Sequence, residues 1–306
     1  MKVYVIIVNY NECEKTKRAV ESVLASKYLG EIFDVIIILI DNSESDKYLN
    51  CLKNYFGERP NIFFIKNSEN LGFAKAVNIG LKMALNEGFD YVFLLNDDAY
   101  LDKNCLWGLI KVANENKDIG LVSPVVFYSD ENGKIWSAGG YFDKLLSRLK
   151  VPLKNKYLKI EDLYNLPIQF VDFVSGCAML IRTEVVKEVG LFDESFYFYN
   201  EDLDYCFRVK KRKFKIAFVP NSFAYHEINI TKDRTNPFVM YHLAKTGVIL
   251  RKKHFSKLYY FYYLLLHFLI FTPFRILQIL LGSKDLNSII AWFAGTIDGI
   301  KFSETK

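Results

Sequence analysis

Short apolar runs recur through the first half of the chain, separated by longer stretches in which apolar and polar residues mix. The runs are rich in β-branched residues and cover positions 3–10, 34–41, 61–67, 90–97 and 119–127. Runs of this length, alternating with amphipathic stretches, are typical of buried parallel strands joined by helical crossovers. The pattern predicts an α/β fold built on a doubly wound, mostly parallel, Rossmann-like sheet.

Polar residues follow each of the first four predicted strands. The segments are Asn9 to Asn11, Asp41 to Ser43, Asn67 to Asn70, and Asp97-Asp98. Asn, Asp and Ser are also common in ordinary turns, so one such segment alone indicates little. Because the carboxyl ends of parallel strands meet at one edge of a sheet, four such segments in succession predict a binding site at that edge.

The composition limits the classes of protein to be considered. The 306 residues are 51% hydrophobic and 25% charged, which predicts a large core rather than disorder. Glycine-rich phosphate loops are missing from the sequence, which disfavours a nicotinamide dehydrogenase and a P-loop enzyme.

The five cysteines are scattered and never form C-x-x-C, so we expect no disulfide framework, no zinc knuckle and a reducing compartment. The strand-like first residues predict that there is no signal peptide.

Asp97 and Asp98 form an acidic pair directly after a buried strand, with no basic residue beside them. Such a pair is unfavourable unless a cation completes it, and Mg²⁺ or Mn²⁺ accepts carboxylates while leaving positions open for phosphate oxygens. The alternative is that the pair caps the following helix. Asp102 is better placed for that cap, which favours the metal site.

A second acidic pair, Glu201 and Asp202, follows a run of aromatic residues. As a surface feature, it would form the first turn of a helix capped by Asn200 and stabilised by an Asp204–Arg208 pair. The aromatic residues favour a site instead, because they pack against the C–H faces of sugar rings and partly desolvate a carboxylate. Desolvation raises a carboxyl pKa toward the range that suits a general base.

His226 follows a further predicted strand that should lie in the same sheet. A single histidine is more often structural than functional. Its place at the strand end would let it reach a metal or a diphosphate.

Taken in order, these segments resemble family 2 glycosyltransferases of the GT-A fold, in particular the rhamnosyltransferase-like members. The resemblance covers about residues 1 to 230. It rests on the segments VIIVNYN, IDNSESD, NSENLGFAKAVNIGL, LLNDDAYL, VSGCAMLIR and NEDLDYCFRVKKRKFKI, and on the downstream His226.

The resemblance implies an inverting single displacement that uses a nucleotide-sugar donor and Mg²⁺ or Mn²⁺. Asp202 would be the catalytic base with Glu201 beside it, and Asp98 and His226 would bind the metal. The implied donor-binding residues are Tyr10, Asn11, Asp41, Asn70, Gly72, Asn78 and Asp97. The chain departs from the family where the acidic motif reads Asn-Asp-Asp instead of Asp-x-Asp, and where Lys245-Thr246 replaces an Arg-Asn pair.

The C-terminal part has a different composition. Positions 258–274 carry no formal charge and follow a cluster of basic residues. As a helix this segment would span roughly 26 Å, less than the hydrocarbon core, and Pro273 would break or kink it. We therefore expect an interfacial or re-entrant element at 258–281 on an anionic membrane surface, with a core helix as the alternative.

These observations predict a catalytic domain at 1–230 and a helical, membrane-associating region at 231–306. The expected function is transfer of a sugar, with dTDP-rhamnose as one candidate donor, to a glycan or lipid-linked glycan at the cytoplasmic face of the membrane. Nucleic acid is not an expected partner, because no binding module is recognisable. The alternatives are a sugar nucleotidyltransferase, which needs a glycine-rich loop that is missing here, and an inactive, membrane-anchored glycan-binding protein.

Overall fold

The computed structural model of the chain describes residues 1–131, 133–228, 236–282 and 284–303. The strands are β1 (Lys2–Asn9), β2 (Asp34–Asp41), β3 (Ile62–Lys66), β4 (Tyr91–Asn96), β5 (Ala99–Leu101), β6 (Ile119–Tyr128), β7 (Ile135–Ser137), β8 (Tyr141–Asp143), β9 (Arg148–Lys150), β10 (Gln169–Phe170), β11 (Ala178–Arg182) and β12 (Lys215–His226). The helices are α1 (Glu14–Leu24), α2 (Lys47–Phe56), α3 (Phe73–Glu87), α4 (Cys105–Glu115), α5 (Ile160–Tyr164), α6 (Thr183–Val189), α7 (Glu201–Lys211), α8 (Pro237–His254), α9 (Lys257–Leu266), α10 (Thr272–Leu281) and α11 (Leu286–Lys301). A π-helical turn, His267–Phe271, joins α9 to α10.

Ten strands of the described chain form one mixed sheet in the order β10-β12-β6-β11-β4-β1-β2-β3, with β5 beside β12 and β7 beside β6. Strands β3, β2, β1 and β4 are parallel, as the sequence predicts. In the other half, β6 and β12 are also parallel, but the prediction did not include β11, which runs antiparallel to both β4 and β6, or the short antiparallel strands β5, β7 and β10. The segment before β11 stays at the carboxyl edge, where the Asn96 amide donates to the Cys177 carbonyl, so β11 must run back across the sheet.

Two apolar layers, one on each face of the sheet, fix the strand ends. In β1, Tyr4 and Ile6 face a core shared with α3, α6 and α7, while Val5 and Ile7 face one shared with α1, α2 and α4. This alternation follows from the two-residue period of a strand. Because both faces are covered, the polar residues at the carboxyl ends of the strands are held in a defined arrangement.

Cys13 and Cys51 form a disulfide that joins the residue before α1 to α2. The expectation of no disulfide framework therefore missed this one bridge, while Cys105, Cys177 and Cys206 are free and buried. The pair could not be read from spacing, because its members are 38 positions apart and are brought together only by the parallel pairing of β1 and β2. Because two of the cysteines form a disulfide, the cysteines no longer support the prediction of a reducing compartment.

The C-terminal helices pack on one another through small residues. Helix α11 lies against α8 at Gly295 and Gly299, where an added Cβ would come within 2.1 Å of the Tyr241 carbonyl oxygen and 2.7 Å of the Lys245 carbonyl oxygen. The close approach requires glycine at both positions. The domain boundary predicted between residues 230 and 231 lies outside the described residues.

The expected break at Pro273 does not occur. Residues Lys257–Leu281 form one helical segment of 25 residues, about 37 Å long. Pro273 stands in the first turn of α10 directly after the π-helical turn, where a missing N–H is tolerated. By length and composition alone, the segment is long and apolar enough to cross a membrane. Only 17% of its most apolar stretch of 18 residues is buried. It is therefore not a core helix.

Candidate active site

The first acidic pair lies at the carboxyl end of β4, beside His226. Antiparallel pairing of β5 with β12 sets His226 opposite Ala99, the residue after Asp98. Asp98 Oδ1 lies 2.7 Å from His226 Nε2, and the Glu227 amide donates to the Asp98 carbonyl oxygen at 2.8 Å. The sequence-predicted metal ligands are thus in contact.

The two carboxyl groups of this pair have different acidities. Burial and the charge of Asp98 raise the pKa of Asp97 to about 7, even though Asp97 accepts a hydrogen bond from the Tyr10 amide. Burial alone would raise the pKa of Asp98, but the hydrogen bond and charge of His226, with Lys15 nearby, hold the pKa below its usual value. Asp98 is therefore ionised at neutral pH, whereas Asp97 takes up and releases its proton near that pH.

The chemistry of Asp98 and His226 fits a divalent cation. A carboxylate oxygen and an imidazole nitrogen meet at one point, and Mn²⁺ accepts both ligand types. Within the described residues, the one cluster of three closely spaced ligand atoms is Cys13, Glu14 and Cys51, whose thiols are joined in the disulfide. A cation at Asp98 and His226 would need phosphate oxygens or water to complete its coordination.

Tyr10 and Asn11 cross the mouth of the cleft between β1 and its neighbours. The Tyr10 amide donates to Asp97 Oδ2 at 3.0 Å, and the Asn11 amide donates to Ser43 Oγ at 2.8 Å. The Tyr10 side chain is 47% exposed, which leaves its ring free to contact a ligand. Both residues are held by backbone contacts while their side chains remain open.

Asp41 is fully buried, which changes how its predicted donor contact must be understood. Its Oδ1 accepts hydrogen bonds from the Asn9 side chain and the Ser43 hydroxyl, and its Oδ2 forms an ion pair with Lys66 at 3.2 Å. Among the described residues, Oδ2 has no hydrogen-bond partner, so it is the atom of this carboxylate to which a nucleotide base could donate. In this structure, Asp41 positions the ends of β1, β2 and β3.

Asn70 and Gly72 form a tight turn before α3. The Gly72 amide donates to Asn70 Oδ1 at 2.9 Å, and the Tyr197 hydroxyl donates to the Asn70 carbonyl oxygen at 3.0 Å. Gly72 has φ of 76°, and an added Cβ would lie 2.6 Å from the Tyr197 carbonyl oxygen. Glycine is required here by both the backbone conformation and the contact with Tyr197.

Asn78 does not reach the cleft. Its side chain is 1% exposed, donates to the Phe192 carbonyl oxygen at 2.9 Å and accepts from the Phe192 amide at 2.9 Å. A second contact, at 3.0 Å, goes to Glu194 Oε1. The predicted donor-binding role does not match this geometry, because the amide group is fully used in holding the segment before α7.

Glu201 and Asp202 occupy the first turn of α7. Asp202 Oδ2 accepts from the Gly176 amide at 3.2 Å, and Oδ1 accepts from its neighbour Leu203 at 2.8 Å. Asn200 does not cap the helix with its side chain as expected. It has φ of 65° and donates instead to Thr246 Oγ1 at 2.9 Å.

Burial also raises the pKa values of these two carboxyl groups, and by different amounts. It raises the pKa of Asp202 to about 6, against hydrogen bonds from Gly176 and Leu203, and burial with the Asp202 charge raises the pKa of Glu201 to about 8. Asp202 is thus ionised and Glu201 protonated at neutral pH. A carboxylate whose pKa is near the working pH is suited to accept a proton.

The two acidic pairs meet at the start of β11. The Asn96 amide donates to the Cys177 carbonyl oxygen at 2.9 Å, and Asp202 is bonded to Gly176, the residue before. The Cys177 thiol lies among the acids, since burial and the charges of Asp98, Asp202 and Asp97 raise its pKa well above the ordinary value. The structure therefore brings together the predicted metal ligand and the predicted base.

The sequence profile of glycosyl transferase family 2 matches residues 4–190 of the chain. The chain belongs to glycosyltransferase family 2. It therefore transfers a sugar from a nucleotide donor to a glycan acceptor.

Two curated relatives of this glycosyltransferase agree with the assignment. An uncharacterized glycosyltransferase of Methanocaldococcus jannaschii is 27% identical over 303 residues, which are 94% of this chain and 96% of that protein. The low-salt glycan biosynthesis hexosyltransferase Agl10 of Haloferax volcanii is 24% identical over 217 residues, or 70% of this chain and 63% of that protein.

Solved structures confirm the GT-A type of α/β fold. GalNAc-T7 with UDP, GalNAc and Mn²⁺ superposes with a TM-score of 0.59 at 18% identity, over 92% of this chain and 58% of that one. Staphylococcus aureus TarS superposes with a TM-score of 0.61 at 18% identity, over 98% of this chain. The glycosyltransferase described here spans about half the length of TarS, 49%.

Sequence reasoning missed Lys15 and the contacts made by Tyr197 and Thr246. Lys15 donates to the Glu227 carbonyl oxygen at 3.0 Å, next to the Asp98 contact, and its charge lowers the pKa of Asp98. Tyr197 covers the Asn70–Gly72 turn, and Thr246 holds the residue before the second acidic pair. Lys15 had a signal in its position just after the first strand. The sequence placed Thr246 where related enzymes carry an Arg-Asn pair, but it did not show the contact with Asn200, because the two residues are 46 positions apart.

Proposed function

We propose that this family 2 glycosyltransferase is an inverting, divalent-metal-dependent enzyme in which Asp202 is the catalytic base. The observation that carries the proposal is the backbone segment Gly176-Cys177, which bonds to Asp202 on one side and to Asn96, beside the first acidic pair, on the other. A base and a metal ligand on either side of one short segment suit a reaction at a single anomeric carbon.

The proposed displacement has a single step. Asp202 takes the proton of the acceptor hydroxyl as its oxygen bonds to the anomeric carbon, the bond to the diphosphate oxygen breaks, and configuration inverts. Glu201 stays protonated beside it. Asp98 and His226 would hold Mg²⁺ or Mn²⁺, which stabilises the negative charge on the departing nucleoside diphosphate. The Mn²⁺ and UDP in the GalNAc-T7 structure support this assignment.

The donor would lie over the ends of β1 to β4. The exposed Tyr10 ring is suited to stack on a nucleobase, and Asp97, next to the metal ligand, is suited to a ribose hydroxyl. Asn11 and the Asn70–Gly72 turn supply further polar groups at the same edge. Asp41 and Asn78 support this site through the protein contacts described above.

A lipid-linked glycan at an anionic membrane surface is the proposed acceptor environment. The helix from Lys257 to Leu281 is mostly exposed and apolar, and its neighbour α11 also presents apolar side chains. The exposed Lys257 begins this helix. Apolar helices flanked by lysine suit an interfacial position, here at the cytoplasmic face.

A donor panel tests the proposal. The purified full chain is mixed with UDP-glucose, UDP-N-acetylglucosamine, GDP-mannose and dTDP-rhamnose, each with Mn²⁺, with Mg²⁺ or with a chelator, and release of nucleoside diphosphate is measured. We expect metal-dependent release from one donor class and loss of release in Asp202→Asn while nucleotide binding persists. If Asp202→Asn retains turnover, Asp202 is not the catalytic base. If the wild type turns over in the presence of chelator, the reaction does not depend on a divalent metal.

A further inference from the structure

Four side chains form an aromatic cluster beside the second acidic pair: Tyr197, Phe198, Phe238 and His242. The His242 imidazole lies 4.5 Å from the Phe238 ring and stacks on Tyr197 at 5.2 Å, measured between ring centroids. Phe198 and Phe238 are 5.2 Å apart. The segment before α7 and the first turns of α8 thus meet in one patch, to which none of the donor or metal roles is assigned.

The aromatic cluster lies between the predicted donor site and the proposed base. At one end, the Tyr197 hydroxyl donates to the Asn70 carbonyl oxygen at 3.0 Å. At the other end, Asn200, next to Glu201, donates to Thr246, whose hydroxyl donates to the His242 carbonyl oxygen at 2.7 Å. A group seated here would have the sugar donor on one side and Asp202 on the other.

Two features of the aromatic cluster are not accounted for by packing alone. Phe238 is 49% exposed, although it contacts three other aromatic side chains. His242 is 9% exposed, and its Nδ1 is buried with no hydrogen-bond partner among the described residues. A buried polar atom without a partner is costly and uncommon, and a bound ligand can supply the missing hydrogen bond.

We propose that the aromatic cluster is the acceptor subsite of the proposed transferase and takes a pyranose ring. The C–H face of the sugar packs on Phe238, and a sugar hydroxyl donates to His242 Nδ1. Phe238 is the closest aromatic neighbour of the imidazole, so a swing of its half-exposed ring uncovers that nitrogen. The inference rests on the proposed function, since it assigns the second substrate of the same site.

The charge state of His242 agrees with an acceptor role. Burial, with the nearby Lys245, lowers the pKa of His242. The imidazole is therefore neutral at physiological pH, and a neutral imidazole has one nitrogen free to accept a hydrogen bond.

Saturation-transfer NMR with octyl β-glucoside, octyl β-N-acetylglucosaminide and octyl α-mannoside tests the proposal. The full chain is used with Mg²⁺ and with UDP, GDP or dTDP. We expect transfer to the sugar-ring hydrogens of at least one glycoside, reduced about tenfold in apparent affinity by Phe238→Leu, which keeps apolar bulk but removes the aromatic face. Phe238→Tyr should bind like the wild type. Phe63→Leu, at a phenylalanine of β3 that is 44% exposed, is the matched control.

His242 is tested by two substitutions that differ in one property. His242→Asn keeps a polar group near the Nδ1 position and should retain binding, whereas His242→Phe keeps the stacked ring but loses the acceptor and should weaken binding about tenfold. Circular dichroism confirms that each variant is folded. Equal binding by His242→Phe and the wild type would overturn the role of His242.

Other outcomes separate this inference from the proposed function. Transfer to the octyl chain alone, or to no glycoside, would overturn the assignment of a sugar subsite even if a nucleoside diphosphate binds. Failure of every nucleoside diphosphate to bind would count against the proposed function instead.

Discussion

The imidazole Nε2 of His226 lies 2.7 Å from Oδ1 of Asp98, across 128 positions of sequence. Two distant segments therefore supply one pair of ligand atoms. We predict that Asp98→Asn or His226→Ala weakens Mn²⁺ binding, measured by calorimetry with a nucleoside diphosphate present, by about 100-fold or more. Asp102→Asn, just after the short strand β5 that follows Asp98, is the control and should bind Mn²⁺ normally.

The pH dependence of turnover should report Asp202. Burial raises its pKa to about 6, and the base must be ionised to accept a proton. We predict that kcat/KM rises about tenfold per pH unit below 6 and levels off above it. A profile that is flat between pH 5 and 7, measured with saturating metal, would contradict the assignment.

Glu201 should make stability fall with rising pH. Its folded-state pKa of about 8 lies above its ordinary value of 4.5, so the folded protein holds a proton that the unfolded chain releases. Stability is therefore full below about pH 4.5 and is lost as pH rises toward about 8. We predict that Glu201→Gln unfolds less readily than the wild type at pH 9, by about 1 to 2 kcal/mol after allowance for solvent screening. Denaturant titrations at pH 5 and pH 9 measure the difference, which should vanish at pH 5.

The disulfide should contribute to stability through the unfolded chain. It closes a loop of 38 positions, for which the loss of loop entropy predicts about 4 kcal/mol. We expect Cys13→Ser with Cys51→Ser, or the reduced wild type, to unfold at lower denaturant by an amount of roughly that size. Cys105→Ser should leave the response to reductant unchanged, because that thiol is free. Equal stability of the reduced and oxidised wild type would contradict the prediction.

Membrane binding should depend on the exposed face of α9 and the π-helical turn that follows it. Leu265 and Leu269 are 62% and 73% exposed. We predict that Leu265→Glu or Leu269→Glu lowers sedimentation with vesicles of anionic phospholipid about tenfold, because each replaces an apolar contact with a charge that the lipid repels. Phe63→Glu on the sheet edge should have no such effect. Unchanged sedimentation of both helix variants would show that this face does not contact lipid.

The sequence predicted the parallel half of the sheet because its strands are continuous apolar runs with polar residues at their ends. It also predicted the i,i+4 contact of Asp204 with Arg208, at 2.8 Å. The GT-A fold was accessible because the motifs that indicate it lie within these strands and their carboxyl ends. The sequence pattern was enough to predict contacts that follow from the two-residue period of a strand or the 3.6-residue period of a helix.

Features that depend on distant contacts were missed or predicted wrongly. The antiparallel course of β11 depends on the Asn96–Cys177 bond, and the role of Asn78 depends on Phe192, 114 positions away. Pro273 was expected to break or kink a helix that continues through a π-helical turn. No local pattern encodes these outcomes, because each is decided by which segments meet in the folded chain.

Helix α8 is bonded to both functional regions of the molecule. Thr246 and His254 hold Asn200 and Asp204 of the catalytic turn, at 2.9 Å and 2.7 Å, while the close contact at Gly295 fixes α8 to α11. The reaction centre and the exposed apolar helices are therefore joined through α8. If those helices lie on a bilayer, as proposed, this connection would set the height of the reaction centre above the lipid, and the enzyme would select an acceptor hydroxyl by its distance from the membrane as well as by its chemistry.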